Sequence, residues 1–178
     1  MKKQNLKKVL LGLSLGLVLC LSSGLAQQSQ STQQVTFNVN LLEWYNLSLD
    51  KNTLTFNDVA PQYVSNPSTT EISAAEGPLQ VTVFAVVIPS QPVKLTITAN
   101  GDLTDGSNII PASAISWTAS GNGFASGTLE NGTAVEAGSW TGIFTYQEGT
   151  MNFSFLRDYV NQVPGNYTMT ATFTLSKV

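Results

Sequence analysis

Residues 167–176 read Tyr-Thr-Met-Thr-Ala-Thr-Phe-Thr-Leu-Ser, and this stretch decides the fold class. Apolar and aromatic side chains occupy every second position, and hydroxyl side chains fill all the positions between them. A period of two with β-branched and aromatic residues is typical of a β-strand that buries one face. The end of the chain is therefore predicted to be a strand with an apolar face and a threonine face.

The same pattern recurs along roughly the preceding 130 residues, in runs that each have about the length of one strand. Alternating or apolar runs lie at 35–41, 45–49, 54–56, 79–88, 93–99, 115–117, 140–146 and 151–155. The run at 79–88 is nearly continuous, which predicts a central strand buried on both faces. No segment shows the period of an amphipathic helix beyond one turn, and 155–160 is the one short candidate.

Turn-forming residues separate these runs. Asn131-Gly132 is a hairpin dipeptide, because both of its positions tolerate a positive φ. Glu148-Gly149 is predicted to turn residues 140–146 back onto 151–155. Eight to ten strands, each with one apolar face, bury themselves by stacking as two sheets. The sequence therefore predicts an all-β antiparallel sandwich, with a closed barrel as the alternative.

The N-terminus has the three parts of an export signal. Residues 1–8 contain four lysines, residues 9–21 are apolar, and small residues precede a cleavage point after Ala26. The apolar run is shorter than the ~20 residues that span a bilayer. An uncleaved anchor is one alternative, and a lipoprotein attached through Cys20 is another, although Leu19 stands where that signal needs a small residue. The prediction is a secreted protein, extracellular or at the cell surface, that passes through a periplasm.

The predicted organisation is a signal peptide at 1–26, a flexible leader at 27–34 and one sandwich domain at 35–178. Cleavage leaves four basic residues against eleven acidic ones, a net charge of −7 with neither Cys nor His. This balance does not suit nucleic-acid binding. Without His and Cys, a Ser-His-Asp triad, a histidine metal site and thiol catalysis are excluded. We therefore expect a protein that is not an enzyme and uses no cofactor or metal.

Two features of the sequence are candidate ligand sites. Residues 102–108 are rich in oxygen ligands for Ca²⁺ but lack the alternating spacing of a calcium loop, and turn formation by Asp, Asn and Gly explains them equally well. Trp44, Trp117 and Trp140 are candidates for a platform that stacks against sugars. A tryptophan in an alternating strand is more often a core residue, and Trp117 beside Ile115 fits that role.

Two short motifs carry a resemblance to a known family. Residues 54–61, Leu-Thr-Phe-Asn-Asp-Val-Ala-Pro, and the turn Pro-Gly-Asn-Tyr at 164–167 resemble elements of the secreted pilin-like and spore-coat-U-like proteins of bacteria. Asn57 stands where that family usually has glycine, and the family's cysteines are missing here. The resemblance implies an immunoglobulin-like sandwich that serves as a subunit of a surface fibre or coat. It also implies that a strand of one subunit can complete the sheet of the next.

The segment 35–41 is the candidate assembly strand. Val35, Phe37, Val39 and Leu41 would lie on one face of it, next to the polar leader. Such an edge strand pairs either within its own sheet or with a neighbouring subunit. The predicted function is a structural subunit of a pilus-like fibre or coat, with copies of itself or related subunits as partners and no membrane span after cleavage. The alternative is a monomeric module that binds a glycan or another surface ligand.

Overall fold

The computed structural model describes residues 33–58 and 69–178. The predicted signal peptide at 1–26 and most of the predicted leader lie outside these residues. Nine strands and one short 3-10 helix lie within them: β1 (Trp44–Leu49), β2 (Thr69–Ser73), β3 (Leu79–Ala99), β4 (Leu103–Thr104), β5 (Ile109–Ile110), the helix Ala112–Ala114, β6 (Ile115–Ser120), β7 (Gly127–Thr128), β8 (Ala134–Asp158) and β9 (Ala171–Lys177). No helix in this part of the chain has the length and apolarity needed to cross a membrane.

The two longest strands, β3 and β8, form the central pair of the fold. β3 and β8 pair antiparallel from Leu79 opposite Met151 to Thr98 opposite Ala134. The register shifts between Val86 and Gln91, where β3 has more residues than β8. Residues 87–90 of β3 lie opposite residue 143 alone, and extra residues on one strand of a pair bend that strand and increase its twist. The two halves of the pair therefore serve as two layers, and side chains from both halves, such as Val81 and Ile97, meet in one core.

Shorter strands pair with each half of this central pair of strands. β1 pairs with the first half of β3, and β9 pairs with its second half. β2 and β6 both pair with the C-terminal end of β8, β7 pairs with β6, and β4 and β5 form a separate small ladder. Phe153 of β8 and Phe173 of β9 have ring centroids 6.5 Å apart, which joins the two layers. The predicted all-β antiparallel sandwich of eight to ten strands is confirmed.

Burial along β3 follows the alternation of a strand with one buried face. Val81, Val83 and Ala85 are at most 1% exposed, whereas Phe84 between them is 37% exposed. The prediction that 79–88 is buried on both faces was wrong. Phe84 lies on the outer face of the sheet although it belongs to a nearly continuous apolar run.

The turn predicted at Glu148-Gly149 was also wrong, because β8 runs through it without interruption. Gly149 is buried, and a Cβ there would lie 2.5 Å from the Phe124 ring. This glycine therefore provides space for an aromatic ring rather than a turn. The turn predicted at Asn131-Gly132 is confirmed, since Gly132 has a φ of +69° and the flanking residues Glu130 and Thr133 form an antiparallel bridge.

The strand predicted at 35–41 is not found. Residues 33–43 have no regular secondary structure, and the first strand begins at Trp44. The chain divides into two units after Asn40, and all nine strands lie in the second unit. Alternation alone does not make a strand, because a strand also needs a neighbour that satisfies its backbone hydrogen bonds.

Candidate assembly site

A groove of about 1060 Å³ opens into the core of the second unit. Just over half of its lining residues are apolar, and they come from the strands and from the irregular segments 50–58 and 163–170: Leu49, Leu54, Phe56, Ile72, Leu79, Leu103, Ile110, Ile115, Phe153, Phe155, Val163, Pro164, Met169, Ala171 and Phe173. The groove can therefore take apolar side chains.

The first wall is an irregular segment held by hydrogen bonds. The Thr55 amide donates to the Glu76 carboxylate at 2.7 Å, and the Thr55 carbonyl accepts from the Ala75 amide at 2.8 Å. The bond from Thr55 holds the pKa of Glu76 below its usual value. Phe56 packs on Phe155 with ring centroids 6.1 Å apart. Individual hydrogen bonds and aromatic packing therefore fix this segment, which does not form the hydrogen-bond ladder of a strand.

Another part of the groove lining comes from the residues that lead into β9. The Tyr167 hydroxyl donates to the Val163 carbonyl at 2.9 Å, and Thr168 and Thr104 exchange two backbone hydrogen bonds of 3.0 and 3.1 Å. Met169 is half-buried against the core. The alternating run at 167–176 therefore begins as groove wall, and only its second half is a strand.

A buried arginine is part of the groove lining. Arg157 is 8% exposed, and its Nε donates to the Asp58 carboxylate at 3.1 Å. Its Nη1 donates to the Gln162 carbonyl at 2.7 Å. Sequence reasoning missed this network. The signal was present, because the only arginine of the chain follows Phe153 and Phe155 on the same face of a strand, and a buried charge needs partners.

The edge of β9 adds a second feature to this site. Among the described residues β9 pairs on one side only, with β3. Phe173 and Leu175 are half-buried and pack against the core, and Phe173 also lines the groove. An edge strand with unpaired backbone groups is a template for another strand. The groove and the edge of β9 therefore adjoin each other.

The predicted assembly residues are exposed. Val35, Phe37, Val39 and Leu41 have relative exposures of 72, 85, 75 and 85%. Four large apolar side chains at every second position are a large amount of unburied apolar surface for one short segment. Their role in assembly stays a prediction.

The three tryptophans do not form a common platform. Trp117 and Trp140 are 2% and 7% exposed, and their indole N–H groups donate to the carbonyls of Ala125 and Asn122 at 2.8 and 2.7 Å. The interpretation of all three tryptophans as a platform for sugars was therefore wrong, because two of them are core residues whose N–H groups already have hydrogen-bond partners. Trp44 alone is exposed, at 63%.

The oxygen-rich loop uses its carboxylates for its own turn. Asp105 accepts hydrogen bonds from the amides of Ser107 and Asn108 and from the Asn108 side chain, and Asp102 accepts from the Ala112 amide. The described residues hold no cluster of three candidate metal ligands. The bond from the Asn108 side chain contributes most to holding the pKa of Asp105 below its ordinary value.

We expect Asp105→Asn to lower the melting temperature at pH 7. The pKa of Asp105 is depressed by folding, so its ionised form stabilises the protein above the unfolded pKa, and this contribution disappears as pH falls through the folded pKa. The difference between the variant and the parent should therefore shrink below the ordinary value of 3.8. Thermal denaturation between pH 2 and pH 7 measures it.

Chelation serves as the control for this prediction. If Asp105 only stabilises its turn, EDTA should leave the melting temperature of the parent unchanged. If the loop binds Ca²⁺, EDTA should lower that melting temperature. A marked loss of stability in EDTA would contradict the turn interpretation and restore Asp102 and Asp105 as candidate ligands.

Comparison of the chain with protein-family models, with curated proteins and with solved structures found no match.

Proposed function

We propose that this protein is a secreted structural subunit of a bacterial surface fibre or coat, and that copies join by strand exchange. Segment 35–41 of one copy enters the groove of the next copy and pairs with the edge of β9. The observation that carries the proposal is the joint occurrence of an exposed alternating segment and an apolar groove in one chain. The lysine-rich start and apolar run of an export signal support secretion.

The chemistry of the two surfaces is complementary. Burying each large apolar side chain of the segment contributes about 1.5–3 kcal/mol relative to leaving it exposed. Pairing along β9 adds main-chain hydrogen bonds, which supply affinity in strand addition. The segment at 35–41 has no charged residue, so it lacks one common guard against edge pairing. The proposal requires no catalysis and no cofactor.

Phe37→Asp tests the proposal, with Asn38→Asp as its matched control. Both variants add one negative charge to the same segment, but alternation puts residue 37 on the apolar face and residue 38 on the polar face. A carboxylate placed in an apolar groove is unfavourable. We expect multimers of the exported protein and of Asn38→Asp, and monomers of Phe37→Asp, in size-exclusion chromatography with light scattering.

A synthetic peptide of residues 35–41 gives a second test with the unchanged protein. It should compete for the groove and shorten the multimers as its concentration rises. If Phe37→Asp assembles like the parent, strand exchange through this segment is wrong. A parent protein that is monomeric at every concentration favours the monomeric binding module instead.

A further inference from the structure

Four exposed aromatic side chains lie together on the outer face of the sheet. Trp44 of β1 is aligned with Val86 of β3, and Val86 is aligned with Phe144 of β8. In the next row, Phe84 of β3 is aligned with Tyr146 of β8. Aligned residues on neighbouring strands point to the same face of a sheet. Trp44, Phe84, Phe144 and Tyr146 are 63, 37, 75 and 60% exposed, and we call them the aromatic surface.

This surface is unusual for a face that water covers. At about 150–250 Å² per aromatic side chain, these exposed fractions leave roughly 350–600 Å² of aromatic surface. That is the size of the largest apolar patch on a typical monomer, which often has a function. It falls short of the roughly 800 Å² per partner that a stable protein interface buries. A ligand that covers only these four side chains is therefore narrower than a second copy of the chain.

The neighbouring side chains indicate which ligand. The row beyond Phe84 and Tyr146 holds Ser48, Thr82 and Glu148, aligned across the same three strands. Glu148 is the only charged member of that row, and its carboxylate accepts a hydrogen bond from the Tyr146 hydroxyl. Hydroxyl groups next to aromatic faces, with little charge, suit a neutral ligand that has both C–H faces and hydroxyl groups. A sugar ring has this chemistry.

We infer that the aromatic surface binds a neutral, extended glycan, with sugar rings stacked across β1, β3 and β8. Trp44 and Phe144 lie two strand spacings apart, roughly 9–10 Å, which is longer than one sugar ring. A linear, unbranched chain therefore reaches both. This inference is independent of strand exchange, because it uses the outer face of the sheet and not the groove.

Tryptophan fluorescence can test the inference directly. The chain has three tryptophans, and Trp117 and Trp140 are buried, so quenching by acrylamide reports mainly on Trp44. We expect cellohexaose or chitohexaose to protect Trp44 from acrylamide and to bind in titration calorimetry. The double variant Phe144→Ala/Tyr146→Ala should bind at least tenfold more weakly. Ile109→Ala, which removes an equally exposed side chain from β5, should bind like the parent.

The outcomes separate the two proposals. Phe144→Ala/Tyr146→Ala should assemble like the parent but bind the glycan more weakly. Phe37→Asp should bind the glycan like the parent but no longer assemble. Binding of neither oligosaccharide by the folded parent overturns the inference. Equal binding by the parent and the double variant also overturns it. If the double variant forms smaller multimers than the parent, the aromatic surface is a contact between copies, and the inference is again overturned.

Discussion

Replacing Trp117 with alanine should lower the free energy of unfolding by about 3–5 kcal/mol. This tryptophan is 2% exposed, its ring centroid lies 5.8 Å from that of Phe153, and its N–H donates to the Ala125 carbonyl. A Cβ at Gly127 would lie 2.6 Å from the indole, so the ring also packs directly on β7. Its removal leaves a cavity and an unpaired carbonyl between β6, β7 and β8.

The matched control is the same substitution at Trp44. Trp44 is 63% exposed, and surface substitutions usually change stability by no more than about 0.5 kcal/mol. Urea denaturation of both variants measures the difference. Since a loss of 5 kcal/mol could unfold a marginal domain, Trp117→Phe provides a milder variant that keeps a ring and loses the hydrogen bond. Equal stability of the Trp117 and Trp44 variants would contradict the core assignment.

Local pattern predicted most strands but not how they are joined. Period-two alternation places a residue on one of two faces, and this information lies within a few neighbouring residues. Pro89, Pro92 and Gly149 are local signals for ending a strand, yet all three lie inside β3 or β8. Pairing between the two long strands overrides the signals at Pro92 and Gly149, which both have partners, whereas Pro89 lies in the irregularity between Val86 and Gln91, where a missing N–H breaks no ladder hydrogen bond. This pairing joins residues far apart in sequence, so no local window shows it.

The candidate sites were less accessible to sequence reasoning than the strands. The alternation of Val35, Phe37, Val39 and Leu41 identified the exposed segment, but the groove depends on where the irregular residues 50–58 and 163–170 pack. Those segments are fixed by individual hydrogen bonds, such as the bond from Tyr167 to Val163, that have no sequence period.

The aromatic surface depends on register. Phe84 and Tyr146 belong to different runs, and only the alignment of β3 with β8 puts them side by side. A shift of one residue would turn one of the two side chains to the other face of the sheet. The sequence therefore shows that these runs contain aromatic residues, but it shows neither that Phe84 is exposed nor that Phe84 and Tyr146 are neighbours.

Gly123→Ala is expected to lower the free energy of unfolding by about 2–5 kcal/mol. Gly123 has a φ of +79°, a conformation that costs an L-residue roughly 1–2 kcal/mol. A Cβ at this position would also overlap the Trp140 indole and lie 2.9 Å from the Ser139 carbonyl oxygen. Overpacking of a filled site adds about 1–3 kcal/mol. The Gly123 carbonyl accepts from the Ser139 amide at 2.9 Å, so the backbone has little freedom to move away.

Gly132→Ala separates these two contributions. Gly132 has a similar φ of +69°, but a Cβ there would meet nothing within 4 Å, so only the conformational cost of roughly 1–2 kcal/mol applies. The difference between the two variants in urea denaturation isolates the contact with the indole. Combining Gly123→Ala with Trp140→Ala should cost less than the sum of the single changes, because the overlapping ring is then absent. If the two glycine variants are equally stable, or if the double change is additive, the indole does not pack against Gly123 and this part of the core is arranged differently.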